Sequence, residues 1–169
     1  VRHCVSQGRL KQLIVAHIWK ASSSGDALAI QNLLIEAKDT GVSLEFMCTG
    51  LTPARIAANH GHAAVLQTLI DFNVPMDVPC NDGTTPLFGA VQSPPHLAFA
   101  AVTTLLESGA VDVNHSAQHG DTPIFHAARC GRPDIILKAH TNGALIDCST
   151  HHVSLCWGGG TRGVFPFPC

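Results

Sequence analysis

Charge is scarce in this chain: only 13% of its 169 residues are Asp, Glu, Lys or Arg, against about 25% in an average soluble domain. The cations form no basic block and the formal net charge is −2, which argues against nucleic-acid backbone binding as the main task. No apolar run approaches the roughly 18 residues of a membrane span. Residues 13–19 are apolar but short, and His17 interrupts them. Seven cysteines (4, 48, 80, 130, 148, 156 and 169) include no CxxC pair and are odd in number. They suit reduced, mostly buried thiols of a cytoplasmic or nuclear protein better than a disulfide framework. Gly158-Gly159-Gly160 leads into Thr161 and Arg162, with no Gly-Lys-Ser/Thr, so no phosphate loop is present. Nothing local supports cysteine–histidine catalysis, which needs an orienting partner and an oxyanion pocket. No enzyme activity, cofactor, metal or small-molecule substrate is therefore expected. The first residue is Val1, so the lack of a leader segment says little.

Apolar residues are abundant, at 46%, enough for one domain with a real core. Full protonation of the eleven histidines would carry the net charge from −2 to about +9. The organising feature is a phrase present three times: Leu51-Thr52-Pro53-Ala54, Thr84-Thr85-Pro86-Leu87 and Asp121-Thr122-Pro123-Ile124. Each has a glycine two residues before its Thr-Pro threonine (Gly50, Gly83, Gly120), and the spacings are 33 and 37 residues. Each opens two apolar helix patterns separated by a turn. Repeats at this period build solenoids, which work through surfaces.

Ahead of the first phrase, Leu10, Leu13, Ile14, His17, Ile18 and Ala21 fall on one helix face. Gly25 ends that helix and Asp26 caps a second, whose stripe is Ala27, Ile30, Leu33, Leu34 and Ala37. This pair (10–49) reads as a degenerate N-terminal cap after a short extension (1–9). Three units follow, at 50–82, 83–119 and 120–150. In the first, Thr52 is placed to accept a first-turn amide and Pro53 to occupy the first helical position. Gly61 supplies the turn with positive φ, and Val65, Leu66, Leu69 and Ile70 stripe the outer helix.

The second unit is four residues longer. Pro94-Pro95 is expected to replace the glycine turn, adding about three positions there and pushing Ser93 out of the helical region. One more residue enters near Val111. The third unit keeps Gly131 in its turn. After Thr150 the pattern stops, and residues 151–169 read as a poorly ordered tail. Cys148, His151, His152 and Cys156 lie within that stretch but at no recognised zinc-finger spacing, so no metal site is assigned to them. His126 and Cys130, four apart, belong to the repeat pattern. Asn114-His115-Ser116 matches a glycosylation sequon, but Asn114 is also the closing residue of its repeat.

The three units resemble ankyrin repeats, whose unit of about 33 residues has a G-x-T-P-L-H-x-A-A-x-x-G core and an L-L-x-x-G-A-D-V-N close. GDTPIFHAARCG, GTTPLFGA with LLESGAVDVN, and GLTPARIAANHGH carry the likeness. The family's His of the phrase is Arg55, Phe88 and Phe125 here, so its hydrogen bond to the neighbouring loops is lost or replaced. The resemblance implies an all-α helix-turn-helix solenoid with projecting finger loops. It further implies a non-enzymatic module that binds a protein or peptide on its concave face, as a monomer or within a longer array. The alternative is a recruitment or regulatory segment of a larger multidomain enzyme. The finger positions implied to touch a partner are Thr49 and Leu51, then Asn81, Asp82 and Thr84, then Gln118, His119 and Asp121. The inner-helix positions are Asn59 and His60, Gln92 and Ser93, and Arg129 and Cys130.

Overall fold

The computed structural model describes residues 2–40, 51–118 and 120–145, with side chains from residue 12 onward. Among them are eight helices: α1 (Arg2–Ser24), α2 (Ala27–Asp39), α3 (Pro53–His60), α4 (Ala63–Asp71), α5 (Pro86–Gln92), α6 (Pro95–Glu107), α7 (Pro123–Arg129) and α8 (Pro133–Thr141). Odd-numbered helices neighbour one another in an inner layer, and even-numbered helices do so in an outer layer. Each pair is joined by a two- or three-residue turn, and the core runs between the layers through all four pairs. Thr49, His119 and the tail 151–169 lie outside the described residues, as does the Cys148–Cys156 stretch.

The local signals act as their chemistry requires. Asp26 accepts from the Ala29 amide at 3.0 Å, and Gly25 ahead of it has φ +78°. Thr52 accepts from the Arg55 amide at 3.1 Å and Thr122 from the Phe125 amide at 3.3 Å, each with proline opening the helix. Thr85, the middle copy, does not cap: its hydroxyl is buried with no hydrogen-bond partner. Thr52→Val should therefore cost about 1 kcal/mol, whereas Thr85→Val should be neutral or stabilising, since it removes an unsatisfied polar group. Equal losses in paired urea melts would contradict this difference.

The first helix departs from its expected face. Ile14, Val15, Ile18, Ala21 and Ser22 are buried, while Leu13 (55% exposed) and His17 face outward. α1 also starts at Arg2, so its first turns occupy the expected extension. The register is set by α2 and α3, which α1 contacts. A stripe on a single helix cannot tell which of its two flanks those neighbours will cover. In α2, Ile30, Leu34 and Ala37 are buried as expected. Ala54, Ala57 and Ala58 are fully buried in α3, and their small size lets α3 lie close against α5.

The lengthening of the second unit is not in its turn. Ser93 (φ −63°, ψ 165°) and Pro94 form a link as short as Gly61-His62, and Pro95 already opens α6. α6 has 13 residues where α4 and α8 have 9 each. Four extra residues extend the helix by roughly 6 Å, one turn. That turn sits at the N-terminal end of α6, where buried Ala98 continues the Ala101, Val102, Leu105 stripe backwards. Proline stops an inner helix but suits the first position of an outer one, so Pro94-Pro95 moves the boundary without adding to the loop.

Candidate functional site

Two described fingers have the same backbone. In the first, the Cys80 amide donates to the Thr84 carbonyl at 2.8 Å and the Gly83 amide to the Cys80 carbonyl at 2.9 Å. In the second, Ala117 donates to Asp121 and Gly120 to Ala117, both at 2.9 Å. The fingers are laced together: Gln118 donates its backbone amide to the Asp82 carbonyl (3.3 Å) and its side-chain amide to the Asn81 carbonyl (2.6 Å). His115 Nε2 donates to the Gly83 carbonyl at 3.0 Å. Gln118 thus serves partly as a brace, and His115, which sequence reading passed over, is another. Asp82 accepts from the Thr84 hydroxyl (2.6 Å) and amide (3.0 Å), which hold its carboxyl below the usual range.

Arg55 ties the first repeat to the next finger. Its Nη2 donates to the Thr84 hydroxyl at 3.3 Å and its Nη1 to Asn59 Oδ1. Arg55 is 6% exposed, and burial lowers the proton affinity of its guanidinium against the pull of nearby Cys80 and Asp82. An arginine thus makes the link that the resemblance left open at this position. Cys80 is half-buried, and burial pushes its thiol up despite Arg55, which disfavours the reactive thiolate. Cys130 is exposed and, like Cys80, is a free thiol; the other five cysteines lie outside the residues with described side chains. Phe88 and His126 meet with ring centres 6.2 Å apart, and both are buried. Burial first, then the Arg129 charge, lower the His126 pKa. Arg129 Nη2 lies 2.9 Å from His126 Nδ1; because arginine only donates, Nδ1 is the acceptor.

At the finger bases, Asn114 uses both ends of its amide. It donates to the Gly143 carbonyl (3.1 Å) and accepts from the Leu145 amide (2.8 Å). Asp77 holds the same place, six residues before its finger glycine. A carboxylate can accept but not donate, and Asp77 Oδ1 is buried without a partner. Burial raises the Asp77 pKa, opposed by the Asp112 amide and by His115. A raised folded-state pKa gives stability that is complete below the unfolded-state value and lost as pH rises through the folded one. Asp77→Asn should therefore stabilise the array by roughly 1 kcal/mol at neutral pH, with the gain shrinking in acid. Urea melts at both pH values check it; a gain that grows in acid would refute the assignment.

The inner-helix ends show which expected contacts are accessible. His60, Gln92, Arg129 and Cys130 are exposed, and Asn59 is half-buried under Arg55. Ser93 is a correction. It is 1% exposed and its hydroxyl donates to the Ala90 carbonyl at 2.8 Å, because Pro94 turns the chain there and buries it. Among the fingers, Leu51, Asn81, Asp82 and Gln118 are exposed, while Thr84 and Asp121 are half-buried. Every residue of α5 except Gln92 is buried, so the middle of the inner face is filled by the protein itself. Among the described residues, no group of three or more His, Cys, Asp or Glu side chains is placed to hold a metal, and no helix is long and apolar enough to cross a membrane.

Stacked helix pairs with laced fingers define a helical repeat protein whose free side chains lie along its edges. The family model for ankyrin repeats, in three copies, matches residues 18–117, and the chain belongs to the ankyrin-repeat family. The match takes in α2 to α6; the third Thr-Pro unit lies beyond it but repeats the cap and finger geometry. Comparison with curated proteins returns no match. Ankyrin repeats are in general protein–protein interaction modules and are typically non-catalytic.

Proposed function

We propose that this array binds a segment of a partner protein along a strip running from its finger tips to the ends of its inner helices. One observation carries the reading. The inner helix of each unit closes on an exposed side chain (His60, Gln92 and Arg129), and Asn81 and Asp82 stand exposed on a finger. Backbone lacing of the fingers holds the strip rigid, so little ordering entropy is lost on binding. Thr49 and His119 belong to the same finger series by sequence. Ser93 is left out because it is buried, and Thr84 acts through Asp82 and Arg55.

The test is affinity capture with the full chain and two variants. One combines His60→Ala, Gln92→Ala and Arg129→Ala; the other combines Asn81→Ala and Asp82→Asn. Loss of a partner by either variant, with the melting temperature preserved, supports the strip. Equal recovery of every partner by all three proteins would sink it.

A further inference from the structure

We propose that the edge formed by the helix-to-helix turns recognises an acidic segment of the partner. This rests on the protein-binding reading and adds the chemistry of what is bound. Charge in the array is segregated by edge. The finger segments 73–85 and 108–122 contain Asp77, Asp82, Asp112 and Asp121, with His115 and His119 but no Lys or Arg. The turn segments 59–63, 92–96 and 129–133 contain His60, His62, His96, Arg129 and Arg132 and no Asp or Glu. Acidic residues flank that second edge only at its ends, as Asp26 and Asp134.

The turns are packed side by side, so these groups share one rim. His62 Nε2 donates to the Ser23 carbonyl at 3.1 Å, joining the α1–α2 turn to the next. Gly61 lies against Ser93 and Leu97, and Arg132 Nη2 donates to the Ser93 carbonyl at 2.6 Å. The His60 and His62 rings stack with centres 5.7 Å apart. His60, His96 and Arg129 are exposed. Arg132 Nη1 is buried, so Arg132 braces the rim through Ser93, and the exposed arginine that can pair with a carboxylate is Arg129. α6 adds an apolar component just beyond its extra turn: Phe99, 45% exposed, stands three residues from His96 on the same helix face. The rim therefore fits an extended segment with spaced carboxylates and an apolar side chain to lie on Phe99. The attraction is between exposed charges, so salt should screen it.

The probe is a fluorescein-labelled oligoglutamate containing one phenylalanine, titrated with the full chain in low salt. Anisotropy is read near pH 6. Saturable binding is expected, weakening about tenfold on moving to high salt. It should also weaken about tenfold in Arg129→Glu/His96→Glu and in His60→Glu/His96→Glu. Asp71→Asn, at the C-terminal end of α4 and away from both the rim and the strip, should bind as the unaltered protein does. Absence of binding, unchanged affinity in both rim variants, or loss caused by Asp71→Asn would overturn the proposal. Self-association that Asp82→Asn abolishes would overturn it too, because the rim would then be serving the acidic edge of a second copy. A captured protein lost by the Asn81→Ala/Asp82→Asn variant but retained by both rim variants would leave the protein-binding reading standing and overturn this one.

Discussion

Gly61→Ala should destabilise the protein by about 3 kcal/mol, roughly threefold the cost of Gly131→Ala, though both occupy equivalent turns. Gly61 has φ +74° and Gly131 +66°, so any side chain is strained at either site. That strain alone is worth roughly 1 kcal/mol for alanine. The sites differ in what surrounds them. A Cβ on Gly61 would lie 2.5 Å from Leu97 Cβ, while nothing is within 4 Å of one on Gly131. Leu97 Cβ is fixed to the first turn of α6 and cannot rotate away, so α6 itself would have to shift. A difference of about 2 kcal/mol corresponds to several degrees in melting temperature for a chain of this size. Equal melting temperatures for the two variants would show that the extra turn of α6 does not pack on the first unit.

Gly89→Ala is the second large effect, expected at about 2–3 kcal/mol. Gly89 sits in α5, buried beneath Arg55 and Asn59 of the preceding unit. A Cβ there would overlap Arg55 Nη1, come within 2.6 Å of Asn59 Oδ1 and lie 3.2 Å from the Arg55 carbonyl. Arginine is normally flexible, but this one is held at both ends by Thr84 and Asn59. The arginine in the phrase and the glycine in the next helix thus form a matched pair. Arg55→His shortens the side chain, so Gly89→Ala should cost at least about 1 kcal/mol less in that background. A double-mutant cycle showing strict additivity would refute the pairing.

Much of the architecture was legible because its signals are local. Threonine and proline at a helix start, and glycine in a turn, act within a few residues through hydrogen bonds and sterics. Asp26, Thr52, Gly25 and Gly61 do what their positions imply. The outer-helix stripe of Val65, Leu66 and Leu69 is buried as its spacing requires. Leu13 and Ser93 were misread for a different reason. Each fate depends on which neighbouring helix covers it, and no short-range pattern encodes that. The Pro94-Pro95 pair misled in length rather than kind. Proline marks a helix boundary, but not whether added residues join the loop or the following helix.

The proposed binding strip was legible in part. Its helix-end positions follow from where each inner-helix pattern stops, so His60, Gln92 and Arg129 could be named before the fold was known. Register could not show that Gln118 would brace the neighbouring finger, or that Arg55 would span two units.

The sequence by itself determined a short ankyrin-repeat array, because repeated caps, prolines and apolar stripes act over one turn of helix. Tertiary structure decided the rest: the length of α6, the Arg55–Gly89 pair, the buried Ser93 and the separation of acidic fingers from a histidine- and arginine-bearing rim. Those properties belong to contacts between units about 30 residues or more apart, and they exist only once the units stack.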